Sequence, residues 1–103
     1  MVTFGDSITH GAYASHPALT YVNQLSRMLD AKVYNFGIGG ERFREKKIIP
    51  GSYPKCDFVT VAYGTNDWGL CTEAKLRDYC TAFYTNLRKT YPNTPIVALT
   101  PIW

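Results

Sequence analysis

At 103 residues the chain can form one small domain, which buries roughly two-thirds of the surface its unfolded form exposes. Its apolar share of 46% is ordinary for a globular domain, and a formal charge of +3 is too small to argue for nucleic acid as a partner. No apolar run approaches the ~20 residues needed to cross a bilayer, and no charged-then-apolar leader opens the sequence, so neither a membrane span nor a leader is expected.

The first residues, Met1-Val2-Thr3-Phe4, read as a short apolar strand that runs into a turn at Gly5-Asp6-Ser7. Ser7 therefore stands at the carboxyl end of a strand, where open α/β sheets place their ligands. A loop follows to Pro17, which suits the first turn of a helix. Ala18, Val22, Leu25 and Leu29 then recur at helical spacing and predict an amphipathic helix over about 17–30. Lys32-Val33-Tyr34-Asn35-Phe36 is a short strand closed by Gly37-Ile38-Gly39-Gly40. The segment from Glu41 to Ile49 reads equally as a helix or a structured loop. Its charges, among them Arg42, Arg44, Lys46 and Lys47, read as a solvated face rather than a phosphate patch.

Asp57 to Tyr63 is nearly continuously apolar and β-branched, as expected of a parallel strand covered on both faces. Gly64-Thr65-Asn66-Asp67 follows at its carboxyl end. Leu76, Cys80, Phe83, Leu87 and Tyr91 share one stripe of a helix over about 72–91, with Thr72 as its cap. Ile96 to Thr100 is a fourth strand, and Pro101-Ile102-Trp103 lies just beyond it. The order β-α-β-(α)-β-α-β predicts an α/β fold, a doubly wound parallel sheet of three layers. With no helix after the fourth strand, the chain is expected to be one partial domain over 1–103, truncated there.

Cys56, Cys71 and Cys80 match no metal-ligand spacing and no histidine stands nearby, so no metal and no cofactor is expected. A sparse, odd set of thiols fits free cysteines in a reducing setting and favours a cytoplasmic location; the residues leave a Cys71–Cys80 bridge open.

The loops after the first three strands all leave one edge of such a sheet and can converge. Ser7 brings a hydroxyl, Gly40 an unobstructed backbone N–H and Asn66 an amide donor. Donors converging beside a serine are the elements of an oxyanion hole for acyl transfer. Tyr13, Tyr63 and Trp68 fall near these loops and are read as ordinary packing rather than a sugar-stacking wall.

Taken together and in this order, Gly5-Asp6-Ser7-Ile8-Thr9, Asn35-Phe36-Gly37-Ile38-Gly39-Gly40 and Gly64-Thr65-Asn66-Asp67 resemble the first three sequence blocks of the SGNH (GDSL-type) hydrolases. The resemblance covers essentially the whole chain. It implies a flavodoxin-like sheet and a serine esterase acting on a small ester, with Ser7 as nucleophile. Gly40 N–H, the Asn66 amide and Ser7 N–H would form the oxyanion hole, and Asp6 and Asp67 would be structural supports. The family's fourth block, Asp-x-x-His, which carries the general base, has no counterpart here. The two histidines, His10 and His16, both fall in the first loop and are expected at the rim. The chain alone is therefore expected to be inactive or very weak, with its base in a further segment, and to associate through an open sheet edge as a homo-oligomer. The competing reading is a binding module or pseudoenzyme using the same cleft.

Overall fold

The computed structural model describes residues 1–44 and 46–101. Ile102 and Trp103, placed past the last strand by the sequence, and Glu45 of the charged segment lie outside the described residues. The elements are β1 (Val2–Gly5), α1 (Ser7–His10), a 3-10 turn (Pro17–Leu19), α2 (Tyr21–Leu29), β2 (Tyr34–Gly37), β3 (Val59–Ala62), α3 (Glu73–Thr90) and β4 (Ile96–Ala98). The four strands are all parallel and lie in the order β2-β1-β3-β4. From β1 the chain steps outward to β2, then crosses back to β3 on the other side. Right-handed crossovers in opposite directions put the connecting segments on opposite faces of the sheet. This is the flavodoxin-like, doubly wound α/β arrangement, with its strand order reversing beside β1.

Strand register sorts the residues between the two faces. Val2, Tyr34, Val59 and Ile96 are level with one another, as are Phe4, Phe36 and Val61 one step along. These face α3, whose Phe83 and Leu87 are fully buried against them. Aromatic rings fill the layer: Phe83 meets Phe43 at 5.4 Å and Tyr63 at 5.5 Å edge to face, and Phe4 stacks on Phe36 at 5.5 Å. Such edge and offset arrangements add to the burial of the rings themselves. The opposite face carries Thr3 and Thr60, which are side by side in register and both buried. Tyr21 and Val22 at the start of α2 mark the helix layer on that side.

The expected helix over 17–30 is divided. Thr20 is extended at ψ 145, and its Oγ1 accepts from Asn23 N at 3.3 Å, so it caps α2 and closes the 3-10 turn before it. A hydroxyl that bonds the backbone in this way competes with helix continuation, which is why Thr20 starts a helix rather than lying within one. The α2 stripe is also less buried than its periodicity predicts: Val22 is enclosed, whereas Leu29 is 54% exposed. The predicted α3 matches closely, and Thr72 Oγ1 caps it by accepting from Lys75 N at 3.3 Å. The Glu41–Ile49 segment forms no helix among its described residues. Lys47 N donates to Arg44 O at 3.2 Å, and Phe43 and Ile48 plug the α3-side core.

Candidate functional site

Three loops leave the carboxyl edge of the sheet, and the backbone ties them together. After β1, Asp6 is buried and caps α1, its Oδ1 accepting from Ile8 N at 2.9 Å. Ser7 is thereby held as the first residue of α1, half-buried, at the end of the strand flanked by β2 and β3. The sequence predicts a loop here; the structure shows a single helical turn, closed by Gly11 N donating to Ser7 O at 2.9 Å.

The β2 loop packs directly on that turn. A Cβ on Gly37 would stand 2.4 Å from His10 N, so only glycine allows this approach. Asn35 Nδ2 donates to Thr9 O at 2.8 Å while its Oδ1 accepts from Gly37 N at 2.8 Å, and Ile38 N reaches back to Gly5 O at 3.0 Å. The sequence places Asn35 in the second block but gives it no role of its own, and the structure shows that it fastens the second loop to the first. An asparagine placed just before a Gly-x-Gly-Gly run was the available signal.

Gly40 adopts φ +75 in the turn closed by Glu41 N donating to Ile38 O at 3.2 Å. That left-handed conformation, rather than crowding, is what calls for glycine. No hydrogen bond among the described residues occupies its N–H. In the β3 loop, Asn66 Nδ2 donates to Glu41 O at 3.0 Å, which joins the third loop to the second. One of the two amide hydrogens of Asn66 is thus spent on this bond.

Asp67 is 3% exposed, and its Oδ2 accepts from Phe43 N at 3.4 Å. Burial raises its pKa above the usual aspartate range, and the Phe43 N–H and the Arg42 and Arg44 guanidinium charges pull it part of the way back. Tyr63, just before this loop, is buried with its hydroxyl unpartnered among the described residues, and burial drives its pKa strongly upward. Of the three aromatic residues read as packing, Tyr63 is the one that is buried. Tyr13 and Trp68 are 104% and 73% exposed, because both sit on turns that project from the edge.

Neither histidine is bonded to Ser7. His10 is exposed and donates from Nδ1 to Gly37 O at 3.2 Å; His16 is exposed and its Nδ1 accepts from Ala18 N at 3.1 Å. Among the described residues no cluster of three or more His, Cys, Asp or Glu side chains is placed to hold a metal, and Cys56, Cys71 and Cys80 are free thiols. No helix among them is long and apolar enough to cross a membrane.

The Ser7, Gly40 and Asn66 loops thus stand at one carboxyl edge of a parallel α/β sheet. The sequence model of the GDSL-like lipase/acylhydrolase family matches residues 3–103, and the chain belongs to that family. Among solved structures it is similar to AlinE4, an SGNH-hydrolase family esterase, and to a point mutant of that esterase, each with a TM-score of 0.75 and 23% identity. Each likeness covers 94% of this chain and 56% of the other, so the chain spans little more than half the length of those esterases. No curated protein matches it.

Proposed function

We propose that the chain is the nucleophile-bearing part of a serine ester hydrolase acting on a small ester such as an O-acetyl or short acyl group. The observation that carries this reading is Ser7 at the end of β1, with Gly40 and Asn66 brought beside that edge by the bonds from Ile38 to Gly5 and from Asn66 to Glu41. In this reading Ser7 Oγ attacks the ester carbonyl carbon and passes its proton to a base. The Gly40 N–H, the remaining Asn66 N–H and the Ser7 N–H take the charge that develops on the carbonyl oxygen. The carbon–oxygen bond to the alcohol breaks, the alcohol leaves with that proton, and water then releases the acid from Ser7. Asp6 and Asp67 hold the loops. The base comes from a segment outside the 103 residues, and the likeness to esterases of greater length supports this.

Among the described residues no strand pairs with the outer edge of β4, and Val97 on that strand is 46% exposed. We extend the proposal to a homo-oligomer formed through this edge.

Fluorophosphonate labelling read by mass spectrometry tests the esterase reading. Ser7 is expected to carry the adduct, slowly in this chain and faster when the residues that follow in its reading frame are added. Ser7→Ala should abolish it. An adduct that survives Ser7→Ala, or its absence from the longer chain, overturns the reading. The lack of a histidine bonded to Ser7 among the described residues favours the second reading, a binding module, which the latter result would select.

A further inference from the structure

Beside the proposed oxyanion donors, and reaching into their loops at Asp67, lies a cavity of about 690 Å³ between the 42–44 loop and the start of α3. Arg42 and Arg44 line it from the loop and Lys75 from the helix, with Leu70 and Tyr79 as apolar wall. Among the described residues Asp67 contributes the one carboxylate, and that carboxylate already accepts from Phe43 N. Among those residues three cations therefore line the cavity with one committed anion.

The ion pairs among the described residues, Lys47–Glu41 and Arg77–Glu73, include none of these three cations. They come from two separate elements and line one concave space, where like charges are unfavourable until a counter-charge arrives. The positive end of the α3 dipole opens on the same cavity at Thr72 and adds to the field. Two arginines also offer planar forks that fit a carboxylate or phosphate.

Position connects the cavity to the chemistry. Arg42 is two residues past Gly40, and Asp67 adjoins Asn66. A molecule held here lies along the same loops that carry the oxyanion donors.

We infer that this cavity binds an anionic group, a carboxylate or phosphate, carried by the ester that Ser7 would cleave. The inference rests on the esterase reading for its connection to catalysis, but anion binding itself is measurable without turnover. The cavity accordingly selects esters of acidic molecules over neutral ones of the same size.

Titration of the 15N-labelled chain with phenyl phosphate, benzoate and benzyl alcohol tests this. Both anions are expected to shift the amides of 41–44 and 69–75, and benzyl alcohol is not. A tighter phenyl phosphate than benzoate assigns a phosphate group; the reverse assigns a carboxylate. Arg42→Gln with Arg44→Gln should weaken phenyl phosphate at least tenfold, and Lys75→Gln, an exposed change on a helix that leaves folding intact, at least threefold. Raising the salt should weaken it further, while Lys89→Gln at the far end of α3 should leave it unchanged. Unaltered binding in the Arg42/Arg44 variant, shifts confined to other residues, or equal binding of benzyl alcohol overturns the inference.

Ser7→Ala separates the two claims. Phenyl phosphate binding that persists while fluorophosphonate labelling fails in every form of the chain removes the esterase and leaves the anion site. Labelling of Ser7 without anion binding removes the site alone.

Discussion

The two faces of the sheet are built on opposite terms. Against α3, Val2, Phe4, Val59 and Val61 are sealed under Phe83, Leu87 and Phe43, with scarcely a polar atom among them. On the other face Thr3 and Thr60 bury hydroxyls, that of Thr3 with no partner among the described residues, while Val97 and Leu99 on and beside β4 remain 46% and 36% exposed. One face has apolar surface enclosed; the other encloses polar atoms and leaves apolar ones in water. Ile8 and Leu99 border an open apolar cavity of about 400 Å³ on the exposed side. The stability of this chain thus rests on the α3 face, and the loops that carry the proposed chemistry stand where the two faces meet.

The largest test of that contrast is Phe83→Ala. Its ring is fully buried and in edge contact with Phe43, Tyr63 and Tyr84. Its removal is expected to cost about 3–5 kcal/mol, which approaches the whole stability of a small domain. Loss of the cooperative thermal transition in circular dichroism would show it; a midpoint shift of a degree or two would contradict the division between faces. Thr3→Val probes the other face with the opposite sign. It replaces a buried, unpartnered hydroxyl with a methyl of the same shape and should stabilise by about 1 kcal/mol, read as a higher urea midpoint at unchanged slope. Destabilisation by Thr3→Val would mean that the hydroxyl has a role this contrast lacks.

That division also explains what the residues disclosed beforehand. Strands and α3 were legible because their apolar patterns are satisfied within the chain: the Leu76–Tyr91 stripe predicts α3, and Thr72 caps it. The α2 region was less legible, since periodicity could not reveal that Thr20 would bond Asn23 N and divide the segment. The Ser7, Gly40 and Asn66 loops could be read as blocks, but not the contacts that fix them. Asn66 donating to Glu41 O and Asn35 bridging Thr9 to Gly37 depend on tertiary distances that no local pattern encodes. The Arg42, Arg44 and Lys75 cavity was missed for the same reason. Its cations belong to segments 31 residues apart or more, and the run around Arg42 looks like a solvated face by itself.

Smaller effects come from titration. Burial raises Tyr84 and Tyr91 to about 12, above the free-phenol value near 10. Between those values the folded chain binds more protons than the unfolded one, so stability should fall as pH rises through that window. Urea midpoints measured from pH 9 to 12 check this, and Tyr84→Phe should flatten the slope. Asp67 gives a gentler effect at the acid end. Its raised pKa means that the ionised carboxylate is costly in the fold, so its cost is present at neutral pH and is relieved as pH falls through the raised value. Asp67→Asn should lift stability at pH 7 and flatten the acid side. A decrease at pH 7 would assign more to the nearby arginines than burial allows.

The smallest expected change in stability, and a decisive one for the open face, is Val97→Lys. Val97 is about half exposed on an edge strand, so the substitution should alter the urea midpoint by no more than about 0.5 kcal/mol. A lysine on an edge strand resists pairing with a second copy. Sedimentation velocity of the unmodified chain should therefore show a concentration-dependent dimer, and the Val97→Lys variant a monomer. A monomer in both, with a sharp cooperative melt, would show that this face tolerates water and needs no second copy. A dimer in both would move the contact away from β4, to the β2 edge or to the apolar cavity beside Ile8 and Leu99.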